Sequence, residues 1–383
     1  MRYAAGVFWN RDPQTWMALG RHLGLTPYHP TAGFTFGASF RQLKRSLGAP
    51  AYAPPQWKYW LCGQRRNLEV IVLLYTTGSG SHTTHWTGAV ARIDPPLFLG
   101  LDVKRQGWLQ LIPVPDVILG HPLADQAFLF SGFDPARIRQ LFSPSDPQGM
   151  ELLNRMCALP KAHSLLISDS VVAISVTGTV TDPSAVLGML DPAIDLADML
   201  ARRRRQMADS AGELAQQGQW RSFADLHGWS FDSYRMKLAG ARDRIPMELA
   251  LETDRSRVFV AATTRFPQPV AVAFSAIPTC LPNFMQGIFS QDIEIGDPAF
   301  DAAYKVTGHP VEAVQAALAR PGLLGVLKHL AARTPEVHLS HQHLFFRLPG
   351  ACPLMSDVEL VVQLGSTVGR ELFGQMQGMG PYR

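Results

Sequence analysis

"GDPAFDAAYKVTGHPVEAVQAAL" (296–318) restates, without a gap, "GHPLADQAFLFSGFDPARIRQLF" (120–142), and this echo decides how the chain is read. Aligned from their first glycines, the two stretches match Gly120 with Gly296, Pro122 with Pro298, Asp125 with Asp301, Ala127 with Ala303 and Gly132 with Gly308. Phe128 falls opposite Tyr304, an aromatic swap. Beyond the second glycine, Ile138, Leu141 and Phe142 lie opposite Val314, Ala317 and Leu318, which keeps the i, i+3, i+4 stripe of an amphipathic helix. Each copy therefore reads as a turn, a strand and the start of a covering helix. Tyr304 and Val306 share one face of that strand.

Working outward, further blocks pair in the same order. "FRQLKRSLG" (40–48) pairs with "WRSFADLHG" (220–228), "WKYWLCG" (57–63) with "YRMKLAG" (234–240), and "LEVIVLL" (68–74) with "MELALET" (247–253). "ARIDPPLFLGL" (91–101) pairs with "TRFPQPVAVAF" (264–274), which aligns Arg92 with Arg265, and "LISDSVVAISVTG" (166–178) with "HLSHQHLFFRLPG" (338–350). Six blocks in one order point to an internal duplication. The expected division is an N-terminal extension (1–34), a first repeat (35–200), a polar helical linker (201–218) and a second repeat (219–383). "WMALGRHLG" (16–24) carries the same aromatic-to-glycine spacing and fits an extra helix packed on the first copy.

Alternation such as Val172, Ile174 and Val176 predicts strands, and the short segments "SDS" (168–170) and "IDPP" (93–96) carry turn chemistry between them. Asp134-Pro135 and Asp182-Pro183 supply a cap and a first-turn proline for helices. Strands joined by short turns build antiparallel sheets with helices on one face, so the expected class is α+β, twice over, and a doubly wound nucleotide-binding fold is not expected.

The pattern Asp125-x-x-Phe128 and Asp301-x-x-Tyr304, followed by a short strand, a glycine and a helix, resembles a motif of bacterial domains of unknown function. The resemblance implies no activity to carry onto these residues.

Composition narrows the function. A chain of 383 residues, 46% hydrophobic and 17% charged, can bury a core, and its net charge of +4 gives no electrostatic case for nucleic acid or an anionic membrane. Cys62, Cys157, Cys280 and Cys352 are far apart, with no C-x-x-C pair for a zinc ribbon or a disulfide framework. Asn10, Arg11 and Asp12 interrupt the first apolar run before a signal segment could form, and no stretch has the ~20 apolar residues of a membrane span. A cytoplasmic, bacterial protein is expected.

Each candidate chemistry has a plainer reading. His82 and His85, and the cluster His338, His341 and His343, use ligand types that suit zinc or iron, but no H-E-x-x-H or comparable carboxylate spacing accompanies them. In the first copy the second cluster aligns with Leu166, Asp169 and Val171. "TTGSGS" (76–81) lacks both the G-x-S-x-G elbow and the lysine of a phosphate loop. Arg202–Arg205 could meet an acidic partner, or could close a helix whose C-terminal dipole favours cations. Arg92 and Arg265 could line a ligand site shared by the two repeats, or each could make the same structural contact in its own copy. Asp125 and Asp301 fit a cap or turn role beside the proline.

No catalytic constellation, metal or cofactor is expected. The leading expectation is a non-catalytic protein-binding or scaffolding protein, through a protein partner or self-association. The alternative is a small-ligand-binding protein with its site between the repeats, anchored by Arg92 and Arg265. A metal-dependent hydrolase using His82 and His85 comes third.

Overall fold

A computed structural model describes residues 13–27, 56–77, 84–106, 117–209, 211–253, 258–266, 273–278, 293–331, 336–339, 343–350 and 355–373. The chain divides into two compact units: Met1–Ala208 with Thr253–Ser256, and Asp209–Glu252 with Arg257–Arg383. Both are α+β.

In chain order the first unit contains α1 (Pro13–Leu23), β1 (Thr26–Pro27), β2 (Gln56–Arg65), β3 (Leu68–Thr77), β4 (Thr84–Arg92), β5 (Asp102–Arg105), α2 (Pro122–Ala127), β6 (Phe128–Ser131), α3 (Pro135–Leu141), α4 (Pro147–Ala158), β7 (Ser164–Ser168), β8 (Val171–Thr177) and α5 (Pro183–Gln206). The second contains α6 (Ala211–His227), β9 (Ser230–Asp232), β10 (Lys237–Arg242), β11 (Ile245–Thr253), β12 (Val258–Arg265), β13 (Ala273–Pro278), α7 (Pro298–Ala303), β14 (Tyr304–His309), α8 (Val311–Leu318), α9 (Pro321–Ala331), β15 (Glu336–Leu339), β16 (His343–Pro349) and α10 (Met355–Phe373). The order of elements is the same in both. So is the order of strands: β1-β2-β3-β4-β8-β7-β5-β6 in one sheet and β9-β10-β11-β12-β16-β15-β13-β14 in the other.

Local chemistry explains the shared elements. Asp134, Asp146, Asp182 and Asp297 each precede a proline, and each carboxylate accepts the amide three residues on, so a cap and a pre-set φ start the helix together. Gly24 and Gly228 end α1 and α6 with φ of +68° and +67°, where a side chain would be strained. The next residue then turns back, Leu25 N–H to the Gly20 carbonyl and Trp229 N–H to that of Ala224. The hairpins β2–β3 and β10–β11 close through Arg66-Asn67 and Asp243-Arg244, all four at positive φ, which is the two-residue turn that matches strand twist.

These features differ from the sequence reading in five places. The helix matching "WRSFADLHG" is "WMALGRHLG" (16–24): Trp16 and Trp220 are both buried, and β1, from within the expected extension 1–34, is an end strand of the first sheet. "FRQLKRSLG" (40–48) lies outside the described residues. Hairpin register places Leu68 with Ile245, two residues off the alignment with Met247. The stretch expected as a linker (201–218) divides between the end of α5 and the start of α6. "IDPP" is no hairpin turn, because β4 pairs with β3 and β8 while β5 pairs with β6 and β7. The opening stretch of each echo also holds a short helix, α2 or α7, ahead of its strand.

In the first unit, one sheet face packs Val70, Val72, Leu74, Ala89 and Ala91 with α1, α3, α4 and α5 residues in a single core. Burying each large aliphatic side chain contributes about 1.5–3 kcal/mol. The opposite face carries a smaller apolar cluster of Cys62, Ile71, Leu73, Tyr75, Val90, Leu166, Val171 and Ala173. In the second unit α10 packs on β12 and β16.

Candidate functional site

The two matched acids are structural. The Asp125 carboxylate accepts the amides of Leu119, Gly120 and His121 at 2.9–3.0 Å. Asp301 accepts those of Ile295 and Gly296 at 3.0 Å. Each ties the incoming chain to its short helix, α2 or α7, and the turn role expected of both is what the geometry provides. Asp169, in the β7–β8 turn, is buried and accepts the amides of Leu99, Gly100 and Leu101 at 2.8–3.0 Å, anchoring the loop that carries the chain from β4 to β5.

Arg92 ends β4 and pairs with Glu69 on β3 at 2.6 Å. Arg265 ends β12 in the second unit, where it is exposed. The two arginines thus hold matching strand positions in separate units, and Arg92 already has its anion.

The arginine run disperses. Arg202 pairs with Asp198 one turn earlier, and Arg205 donates to the Asp94 carbonyl. Arg203 and Arg204 are buried. Arg203 donates to the Leu141 carbonyl at 2.5 Å, the Gln140 carbonyl at 2.7 Å and the Asp146 carboxylate, joining the end of α3 to the cap of α4. That carboxyl is held below its ordinary value mainly by the Arg203 hydrogen bond.

Of the histidines, His82 and His341 lie outside the described residues, His85 sits in β4 opposite Thr76, and His338 and His343 lie on the neighbouring strands β15 and β16. No group of three or more His, Cys, Asp or Glu that could hold a metal occurs among the described residues. Cys280, Cys352 and most of "TTGSGS" also lie outside them. Burial pushes the Cys62 thiol up to about 12, with Glu69 adding to it, and burial raises the Cys157 thiol as well. Both are held as thiols, whereas a nucleophile requires the thiolate.

Two features were not foreseen. At matched positions of the two sheets, away from the helices, the first unit has Tyr75 stacked on Trp86 with Ser175 at 3.4 Å from the Tyr75 hydroxyl. The second has Glu252, Phe259 and Arg347 there: Arg347 pairs with Glu252 at 3.0 Å and lies 4.1 Å over the Phe259 ring. One sheet position is filled by aromatic packing in one unit and by a buried ion pair in the other. Pattern reading could not find either, because the partners come from strands separated in sequence.

The second feature surrounds β6. Ile118, Leu123 and Phe133 are 66%, 64% and 43% exposed. The positions aligned with them in the second unit carry Glu294, Ala299 and His309. The same architecture is thus completed without large apolar side chains at these places.

No family model matches the sequence, and no curated protein matches it. Among solved structures, the crystal structure of the mycobacterial trehalose monomycolate transport factor A, TtfA, is similar over 44% of this chain and 98% of its own, at 10% identity and a TM-score of 0.30. A likeness that slight carries no argument about function.

Proposed function

We propose that this is a non-catalytic protein-binding protein built from a duplicated α+β unit. Its first unit docks a partner through the surface around β6. The observation that carries this reading is the difference between the units at Ile118, Leu123 and Phe133. Single exposed apolar residues are ordinary on protein surfaces. Three in one short region, each absent from the same place in a matching architecture, support a role outside folding. The duplication rests on the shared element order, the shared strand order and the paired caps and turns.

The ionisable residues support the same reading, since Asp125, Asp301, Asp169 and Arg203 hold loops and helices and Arg92 is paired across neighbouring strands. A ligand anchored by Arg92 would compete with the Glu69 pair. No helix among the described residues is long and apolar enough to cross a membrane, and a cytoplasmic location is part of the proposal.

Affinity capture from the source cell, with wild type beside an Ile118→Asp, Leu123→Asp, Phe133→Asp variant, tests the reading. A stoichiometric partner should be held by the wild type and lost by the variant at equal thermal stability. Equal retention by both would refute docking at this surface.

A further inference from the structure

The two units fasten their fourth-position helices, α4 and α9, by different chemistry. In the second unit the Tyr304 hydroxyl donates to the Leu327 carbonyl of α9 at 3.3 Å, so a neutral phenol ties edge strand to helix. In the first unit the matching residue is Phe128, which has no hydroxyl. Arg105, its cross-strand partner, lies with its guanidinium 5.3 Å over the Phe128 ring. It donates Nη2 to the Leu159 carbonyl at 3.3 Å and Nη1 to the Pro160 carbonyl at 3.4 Å, just past the end of α4. A cation at a helix C-terminus also suits the dipole.

His163 completes the arrangement. Its backbone amide donates to that same Pro160 carbonyl at 2.8 Å. Its Nδ1 is buried with no hydrogen-bond partner among the described residues, as is Arg105 Nε. Burial and then the neighbouring Arg105 charge lower its pKa below 6.5. The ionisable groups facing it are Arg105 from β5 and, beside that guanidinium, the Cys157 thiol from α4; Lys161 stands exposed on its own turn. Cys157 is held as a thiol, so it provides no negative charge to offset an imidazolium. In the second unit Pro278 stands opposite Tyr304 as Arg105 stands opposite Phe128, so the arginine is not a requirement of the fold.

We infer that Arg105, His163 and the Pro160 carbonyl form a pH-sensitive latch, which holds the C-terminal end of α4 to the β5–β6 edge at neutral pH and releases it on mild acidification. Protonating His163 puts a second positive charge beside the Arg105 guanidinium, on a half-buried ring whose Nδ1 has no partner among the described residues. The released state, where the imidazole meets water, accepts the proton more readily. Linkage therefore favours the latch above the ordinary histidine value of 6.5 and favours release as pH falls below it.

Hydrogen exchange on the full chain, corrected for the intrinsic pH dependence of amide exchange, tests this. Protection of residues 155–159 should fall about tenfold per unit separating the two histidine pKa values, between about pH 7.5 and 5.5. The helix Pro321–Ala331 serves as the internal reference and should not change. A folded His163→Asn variant should lose the pH dependence. An acid loss that persists in this variant, or a wild type with unchanging protection, would overturn the latch. If the variant does not fold, NMR titration of wild-type His163 decides: protonation must coincide with lost protection, and protonation without it overturns the proposal.

Discussion

Gly63 on β2 and Gly240 on β10 hold the same place in their units, facing the residue that follows the α1 or α6 cap glycine. A Cβ on Gly240 would stand 2.3 Å from the Trp229 ring, whereas the one close contact of a Cβ on Gly63 would be the Leu25 side chain at 2.8 Å, with backbone at an ordinary 3.5 Å. An indole is rigid and a leucine can change rotamer. Gly240→Ala should therefore cost about 1–3 kcal/mol in urea unfolding, and Gly63→Ala distinctly less. A Gly240→Ala protein as stable as wild type would contradict the packing. Arg203 makes the opposite point, that a residue read as surface charge can be a buried tie. Arg203→Ala removes the donor to the Leu141 carbonyl and one of those to the Gln140 carbonyl, and should lower stability by about 2–3 kcal/mol. Arg202→Ala, removing an exposed pair on one helix face, should change it by about 0.5 kcal/mol or less.

At the scale of elements, two capping acids carry a pH signature. Asp146 is held below its ordinary value of 3.8 by Arg203, and Asp297 by Lys328. A depressed carboxyl contributes stability that is present above the unfolded value and lost as pH falls through the folded one. Melting temperature should therefore decline below about pH 4, and Asp297→Asn should flatten part of that decline. An unchanged acid limb in this variant would refute the contribution. Elements whose signals are local were legible in the sequence: the Asp-Pro helix starts, the alternating β8 and the α8 stripe beside Gly308. The six-residue α2 was not, because its register depends on Asp125 gathering three amides rather than on periodicity. Nor was the crossing from β4 to β5, since only the sheet shows that β8 and β7 lie between them. The cluster of Arg105, Cys157 and His163 was illegible for the same reason: it exists because β5 lies beside β7.

The whole molecule repeats one arrangement and then varies it. Element order, strand order, cap glycines and hairpin turns recur in the two units. The differences fall at Tyr75 against Glu252, Phe128 against Tyr304, and Ile118, Leu123 and Phe133 against Glu294, Ala299 and His309. Shared positions maintain the fold, and the proposed docking surface lies where the two units differ. Site-specific photocross-linking in the source cell, with the probe placed in turn at positions 118, 123, 294 and 299, tests that claim most directly. The account predicts a discrete partner adduct from 118 and 123 and none from 294 and 299. Equal adducts from both units, or none from the first, would contradict it.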